Sequence, residues 1–372
     1  MIRPTVRPLS RIGFETAVYE LSDDPGFVAL DAGARGNDRN RFSVLASNPT
    51  RSFSFTGGFV SVDGRTVIDT PISALKSFLK DSAGYRTDSN LPFSGGAIGY
   101  VSFEGAKALG GFDPAKGFSR FPQCRFGIYD AAVIFDHMEK TASVVASGWH
   151  AKASAEGLCR RLEAPRRSAV KSFESPGKQG DASCLLPEES DFSRLLGNAA
   201  EWLRADILRR VCLARSVLIP SHTGALIGQY LRSRRPGEAR VFITHEGASA
   251  MACSSSAAFG ADFGDETGRL LSVFPSLAFA GEPVERAMAF ISNHEEEHRR
   301  LYGGAFGVCD GEGMRLYTAD TAAYEADGAV SATAGAEITA SCDFRSVSMD
   351  LKEKLESLAL NHSSKIPFTS NS

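Results

Sequence analysis

Apolar and polar side chains alternate along residues 41–63 (RFSVLASNPTRSFSFTGGFVSVD), with Asn-Pro and Gly-Gly breaks between the runs. A period of two that is interrupted by turn residues predicts short antiparallel strands. Residues 71–79 have a helical spacing of apolar positions, and residues 125–149 predict a hairpin that turns at His137 to Lys140. The first part of the chain therefore predicts mainly sheet.

The second part of the chain interleaves helical and strand patterns. Residues 164–190 are rich in Pro, Ser, Gly and charged residues, which is typical of a linker. Beyond this linker the pattern predicts helices at 191–214, 224–235, 283–301 and 346–362, a strand at 240–247, and strands between 304 and 339. This irregular order favours an α+β fold with largely antiparallel sheets. We therefore divide the chain into residues 1–163, the linker 164–190 and residues 191–372.

Composition and charge exclude several classes of partner. The chain carries 41 basic and 44 acidic residues mixed along its length, so no basic face predicts binding to nucleic acid. No apolar run is long enough for a membrane span, and the start of the chain lacks the apolar stretch of a signal peptide. Seven cysteines without a C-x-x-C pair indicate reduced thiols. We expect a cytoplasmic protein without a membrane partner.

Residues 293–300 (NHEEEHRR) contain His294, Glu295 and His298 in the H-E-x-x-H order that zinc hydrolases use on a helix. Two histidines four residues apart can share a metal, and the glutamate between them can serve as general base. The pattern supplies no third ligand, however, and the predicted helix ends soon after His298. The favoured interpretation is a solvated, charge-paired last turn of a helix, and zinc hydrolysis is the alternative.

Two glycine-rich stretches and one serine run invite a catalytic interpretation. The segments GGAIGY (95–100) and YGGAFG (302–307) lead into predicted strands and lack a following Lys-Ser/Thr, which favours close strand packing over phosphate binding. The serines of CSSSAA (253–258) do not lie in a G-x-S-x-G elbow, so this run predicts a turn. None of the three loops predicts a catalytic site.

Six segments carry a more specific signal. In the first part of the chain they are RFSVLASNP, LPFSGGAIGYVSFE and RFPQCRFGIYDAAVIFDH. In the second part they are FPSLAFAGEPVERAMAFI, RRLYGGAFGVCDGEG and TAGAEITASCD. In this order they resemble the chorismate-utilising enzymes, namely the large subunit of anthranilate synthase and component I of aminodeoxychorismate synthase. The resemblance spans most of the chain and implies two antiparallel sheets packed face to face, with helices outside.

The resemblance also implies a pocket in residues 191–372 where magnesium and chorismate meet and ammonia from a glutaminase subunit attacks the ring. Mg²⁺ needs convergent carboxylates, and the substrate carboxylates need cationic or backbone N–H partners. The family's metal-binding acidic helix leaves Asp350 as a weak candidate ligand. The remnant of the substrate pocket aligns with Gly281, Tyr302, Gly303, Gly335, Ala336 and Lys354.

The chain departs from the family pattern at positions that face the ligand. Residues 258–273 stand where relatives carry a much longer central segment that includes a metal-binding glutamate. The arginine that should face a substrate carboxylate aligns with Asp320, and a pocket glycine aligns with Glu337. Of the two carboxylates in the last helix, one aligns with Val347, so only Asp350 is retained.

These departures favour a homologue that has lost catalysis and acts as a binding or regulatory protein. No catalytic residue is predicted to be retained, and one carboxylate is too few to hold Mg²⁺ well. The expected partner is a glutaminase subunit or a homologous large subunit. The alternatives are active Mg-dependent amination of chorismate in folate or tryptophan precursor synthesis, and zinc hydrolysis through His294 and His298.

Overall fold

The three-dimensional structure is a computed structural model of the chain. It describes residues 4–10, 12–31, 41–85, 91–112, 121–164, 183–221, 224–233, 238–256, 259–261, 278–311 and 313–360. The helices in these ranges are α1 (Phe14–Leu21), α2 (Pro71–Lys80), α3 (Phe103–Leu109), α4 (Ala151–Glu163), α5 (Glu189–Arg204), α6 (Ala225–Arg232), α7 (Val284–His294) and α8 (Phe344–Leu360).

The strands of the first part are β1 (Thr5–Leu9), β2 (Val28–Asp31), β3 (Phe42–Ala46), β4 (Arg51–Thr56), β5 (Phe59–Val62), β6 (Arg65–Val67), β7 (Gly96–Val101), β8 (Cys124–Tyr129), β9 (Ala131–Asp136) and β10 (Thr141–Ala146). The strands of the second part are β11 (Cys184–Leu186), β12 (Arg210–Pro220), β13 (Ala239–His245), β14 (Ala248–Ser254), β15 (Phe259–Ala261), β16 (Gly281–Glu282), β17 (Ala305–Asp310), β18 (Gly313–Thr318), β19 (Thr321–Ala326) and β20 (Ala329–Thr339).

These strands form two antiparallel sheets. The larger sheet has the order β1-β10-β9-β3-β2-β13-β14-β19-β20-β12-β11, with β16 as a second neighbour of β12, and the smaller has the order β15-β18-β17-β7-β8-β4-β5-β6. Both sheets combine strands from the two parts of the chain, because β2 pairs with β13 and β7 pairs with β17. The two parts therefore fold together rather than as separate units.

The sheets pack face to face and bury the alternate side chains of their inner strands. This inner layer includes Val44 and Val241 from the larger sheet and Tyr100 and Phe306 from the smaller one. Helices α1, α4, α5, α6, α7 and α8 cover the outer face of the larger sheet, whereas α2 and α3 cover the smaller sheet. The prediction of an α+β fold with two face-packed antiparallel sheets and outer helices is confirmed.

The elements agree with most of the patterns in the sequence. The hairpin of β9 and β10 turns at 137–140 as predicted, and α2 matches the helix predicted at 71–79. The helix predicted at 191–214 is wrong beyond Arg204, because Asp206 adopts a positive φ of 56° and the chain re-enters as β12. Within the predicted linker, Cys184–Leu186 form β11, and α5 begins at Glu189. No helix among the described residues is long and apolar enough to cross a membrane.

Candidate functional site

Five of the predicted pocket residues lie around Cys212 on strand β12. Gly281 pairs with Val211 through β16, and β20 places Gly335 opposite Ala214 and Ala336 opposite Leu213. The Tyr302 hydroxyl lies 3.4 Å from the Cys212 sulfur. Gly303 follows Tyr302 with a positive φ of 72°, which turns the backbone toward β17. The fold thus brings these distant segments together.

The centre of this group is closed by a side chain. A Cβ at Gly335 would overlap the Tyr302 hydroxyl oxygen and lie 2.8 Å from the Leu213 carbonyl oxygen. The tyrosine is 2% exposed, so its ring fills the space that faces Gly335. The absence of a side chain at Gly335 therefore makes room for the Tyr302 ring.

The two polar groups at this centre are poor nucleophiles. Burial raises the pKa of the Tyr302 phenol well above its usual value, and the neighbouring Cys212 thiol adds to that rise. Burial likewise raises the pKa of the Cys212 thiol. Both groups are protonated at neutral pH, and a protonated thiol is unreactive.

Charged residues lie near this group at the start of β12 and in the turn between β18 and β19. Arg210 binds the Glu337 carboxylate through Nη1 at 2.6 Å, and Arg209 binds Glu282 at 2.7 Å. Asp320 accepts hydrogen bonds from the amide and the hydroxyl of Ser255, at 2.7 and 2.6 Å. The two carboxylates that stand at ligand-facing family positions are thus engaged by residues of the chain.

Asp350 and Lys354 lie apart from the group around Cys212. Both are exposed on α8, and neither takes part in a hydrogen bond or an ion pair with another described residue. Val347, at the other acidic position of the family, is partly buried against the outer core. The helix that carries these positions is present, but the structure shows no contact that joins them to Tyr302 or Gly335.

The donor set does not fit Mg²⁺. Hard cations take several oxygen ligands at fixed geometry, and the sequence resemblance predicts Asp350 as the one candidate ligand. Across the described ranges, no group of three His, Cys, Asp or Glu side chains is arranged to hold a metal ion. No chemical step through a bound metal follows from the residues that the structure places here.

The H-E-x-x-H segment is not a zinc site in the structure. Helix α7 ends at His294, so His298 lies beyond it and the two rings do not share a helix face. His294 stacks on Phe290 with ring centroids 4.2 Å apart, and its Nδ1 lies 2.9 Å from the Phe290 carbonyl oxygen. His298 faces Glu104 at 3.9 Å. The H-E-x-x-H spacing requires both histidines on one helix, so the structure does not support the alternative of a zinc hydrolase.

The expectation of a solvated last turn is wrong as well. The side chains of Arg299 and Glu295 are 2% and 5% exposed, and they form a bidentate pair at 2.5 and 2.6 Å. Arg299 also donates to the carbonyl oxygens of Phe279 and Cys212, at 2.6 and 2.7 Å. Burial alone would lower the Arg299 pKa, but the Glu295 carboxylate raises it, so the guanidinium stays charged.

This ion pair covers a short open stretch in the edge of β12. Strand β16 pairs with Arg210 and Val211 along this edge, and β11 pairs with Ser216 to Leu218. Between them, the Ala214 amide donates to Glu295 Oε1 at 3.0 Å. A carboxylate thus supplies the acceptor that a neighbouring strand would otherwise supply.

A polar cleft of about 240 Å³ opens beside this stretch, and we call it the edge cleft. It lies between the start of α5, strand β12 and residues 294–299. Its polar and charged lining residues are Glu188, Asp191, Arg194, Asn198, Arg215, Ser216, His294, Glu295, Glu296, Glu297, His298, Arg299 and Thr333. The sequence pattern gave no signal for the edge cleft, since its residues come from four distant segments.

Replacing Gly335 by alanine is expected to destabilise the fold by about 1–3 kcal/mol, because the added methyl overlaps the Tyr302 hydroxyl. Adding Tyr302→Phe should recover part of that loss. The measurement is urea unfolding. Gly157→Ala is the control, since nothing lies within 4 Å of its Cβ position on α4 and alanine favours a helix. An unchanged stability for Gly335→Ala would show that the tyrosine does not pack against Gly335.

The fold is shared with several solved structures. Anthranilate synthase component I of Streptococcus pneumoniae superposes with a TM-score of 0.68 at 18% identity, covering 86% of this chain and 92% of that one. The menaquinone-specific isochorismate synthase of Escherichia coli gives a TM-score of 0.66 at 12% identity, covering 97% and 94%. The two face-packed sheets of this protein therefore have the anthranilate synthase component I fold.

The sequence shows to which family the chain belongs. It matches the family described as chorismate binding enzyme over residues 33–266 and 268–359. The protein belongs to the chorismate binding enzyme family.

Two curated relatives match over shorter stretches. Anthranilate synthase component 1 of Lactococcus lactis is 31% identical over 165 residues, which cover 43% of this chain and 36% of that protein. Aminodeoxychorismate synthase component 1 of Escherichia coli is 29% identical over 132 residues, which cover 34% and 29%. The chain thus matches about a third of the length of these relatives.

Proposed function

We propose that this protein has lost the amination of chorismate and acts as a binding or regulatory protein on the family scaffold. The proposal rests on Asp320 and Glu337, which stand where the family resemblance predicts an arginine and a glycine. The packing of Tyr302 on Gly335 does not decide the question, because the resemblance retains both positions. A scaffold that keeps its packing residues and lacks the groups that hold the substrate is suited to contacts rather than turnover.

Electrostatics supports the same proposal. A dicarboxylate substrate requires cationic or N–H partners, and the chain has Asp320 and Glu337 at positions where relatives have an arginine and a glycine. Their carboxylates are held by Ser255 and Arg210. Arg210 balances the Glu337 charge, whereas no described cation pairs with Asp320, so the Asp320 charge raises the cost of binding a dianion beside it. We therefore propose that Mg²⁺ is not bound here, in line with the poor donor set around Asp350.

The remaining expectations are part of the proposal. A glutaminase subunit or a homologous large subunit is the expected partner, and the cytoplasm the expected location. The linker at 164–190 and the shortened central segment at 258–273 stay predictions, because both lie mainly outside the described residues.

The test is a direct assay of anthranilate and aminodeoxychorismate formed from chorismate, Mg²⁺ and ammonia. We expect no product above a buffer control. Anthranilate synthase component 1 of Lactococcus lactis is the positive control, because it is a matched relative. Turnover above the control would refute the proposal and restore active amination.

A binding measurement separates loss of catalysis from loss of substrate. A ligand that binds only the folded state raises the thermal unfolding midpoint by mass action. We expect chorismate at millimolar concentration not to bind, and therefore to leave the midpoint unchanged. A raised midpoint without product would mean that the pocket still binds chorismate but does not convert it.

A further inference from the structure

Arg215 lies in the wall of the edge cleft with one nitrogen that has no acceptor. Its side chain is 0% exposed and pairs with Glu189 at 2.8 Å through Nη1. The Nε group donates to the Pro187 carbonyl at 3.0 Å, and the guanidinium packs over Phe192 at 4.7 Å. Nη2 is buried without a hydrogen-bond partner among the described residues. Its charge is balanced by Glu189, so the unmet need is for an oxygen acceptor rather than for an anion.

The same cleft has an excess of negative charge. Among its acidic residues, Asp191 pairs with Arg194 at 2.9 Å and Glu295 pairs with Arg299. The other three carboxylates are exposed and form no ion pair with any described residue. They are Glu188, Glu296 and Glu297. Three uncompensated carboxylates around one concave surface favour a cation.

We infer that the edge cleft binds a small molecule that carries a protonated amine and an uncharged oxygen acceptor, the chemistry of amino sugars and amino alcohols. The ammonium group would lie among Glu188, Glu296 and Glu297, and the oxygen would accept from Arg215 Nη2. The hydroxyls of Ser216 and Thr333, 2.8 Å apart on the same wall, add a further polar contact for such a ligand.

This site adjoins the pocket around Cys212, since Arg299 lines the edge cleft and donates to the Cys212 carbonyl oxygen, but it does not share the predicted pocket residues. None of Gly281, Tyr302, Gly335 or Lys354 lines the edge cleft. The inference goes beyond the proposed loss of amination and does not depend on it. Either proposal can fail while the other stands.

The first experiment compares three probes on the full chain by isothermal titration calorimetry. Glucosamine carries both features, glucose lacks the amine, and cyclohexylamine lacks the oxygen acceptor. We expect glucosamine to bind at least about tenfold more tightly than either analogue, since a charge-assisted hydrogen bond contributes this much. Equal binding of glucosamine and either analogue, or no saturable binding at millimolar glucosamine, would overturn the inference.

The second experiment changes the cleft. The variant Glu296→Gln/Glu297→Gln should bind glucosamine about fivefold more weakly, because two exposed charges are removed. Glu285→Gln is the matched control, an exposed acid on α7 outside the cleft, and should leave binding unchanged. Equal affinities for the double variant and the unaltered chain would overturn the inference.

Arg215→Lys tests the acceptor site. It keeps the positive charge but not the planar set of donors, so the preference for glucosamine over cyclohexylamine should disappear. A preference that persists in a folded Arg215→Lys protein would overturn the assignment of the oxygen to this residue. Circular dichroism checks folding, and if this variant does not fold the comparison of the three probes decides.

Discussion

The free energy of unfolding of the variant Arg299→Met is expected to be about 3–5 kcal/mol lower than that of the unaltered protein, as is typical when one partner of a buried ion pair is removed. The change leaves the Glu295 carboxylate, whose side chain is 5% exposed, buried without its cation. It also removes the donors to the Phe279 and Cys212 carbonyl oxygens. Urea unfolding followed by circular dichroism measures the loss.

Two further variants make this result specific. Arg286→Met removes an exposed arginine from α7 of the same segment and should change stability little. Adding Glu295→Gln to Arg299→Met should recover part of the loss, because glutamine removes the buried charge and still accepts from the Ala214 amide. If Arg299→Met unfolds like Arg286→Met, the pair is not buried as described.

The variant Asp31→Ala should have an effect of similar size, again about 3–5 kcal/mol. Asp31 and Arg240 are each 1% exposed and form an ion pair between neighbouring strands β2 and β13. Asp31 also accepts a hydrogen bond from Ser43. Removing the carboxylate leaves a buried guanidinium that still donates to the Tyr230 carbonyl and Ser233 and packs over the Tyr230 ring, but has lost its counter-charge.

The control for Asp31→Ala is an ion pair on the surface. Asp191 and Arg194 are 46% and 71% exposed on α5, so Asp191→Ala should have little effect on the unfolding midpoint. The double variant Asp31→Leu/Arg240→Met should be more stable than Asp31→Ala, because no buried charge is left alone. Similar midpoints for Asp31→Ala and Asp191→Ala would contradict a buried pair in the sheet.

The alternation around the Asn-Pro and Gly-Gly turns of residues 41–63 was sufficient to predict β3, β4 and β5, whereas β1 and β2 were not predicted. The error at residues 205–214 has a physical reason. Strand β12 is buried on both faces through Val211 and Cys212, so its run of apolar residues does not alternate. A short run of this kind fits a helix as well as a strand. The turn at Asp206 that separates the two elements leaves no strong mark in the sequence.

The candidate site was only partly predictable. Family motifs located Gly281, Tyr302 and Gly335, and the fold brought them together. The spacing of Glu295 and Arg299 is the same whether a pair is solvated or buried, so the sequence alone favoured the commoner surface pair. The sequence also did not predict that Arg215 is buried with one nitrogen that lacks an acceptor. Its burial depends on α5 and on residues 294–299, which are far apart in the chain.

The shared sheets also determine the order in which the chain can fold. Strands β2 and β7 each have one neighbour in the first part of the chain, β3 and β8, and one in the second, β13 and β17. During synthesis, one edge of each strand stays unpaired until residues 239–245 and 305–310 have been made. Contacts this distant in sequence slow folding and leave strand edges open to other chains. The free edges of β2 and β7 are therefore the places where the first part of the protein can pair with another chain before synthesis is complete.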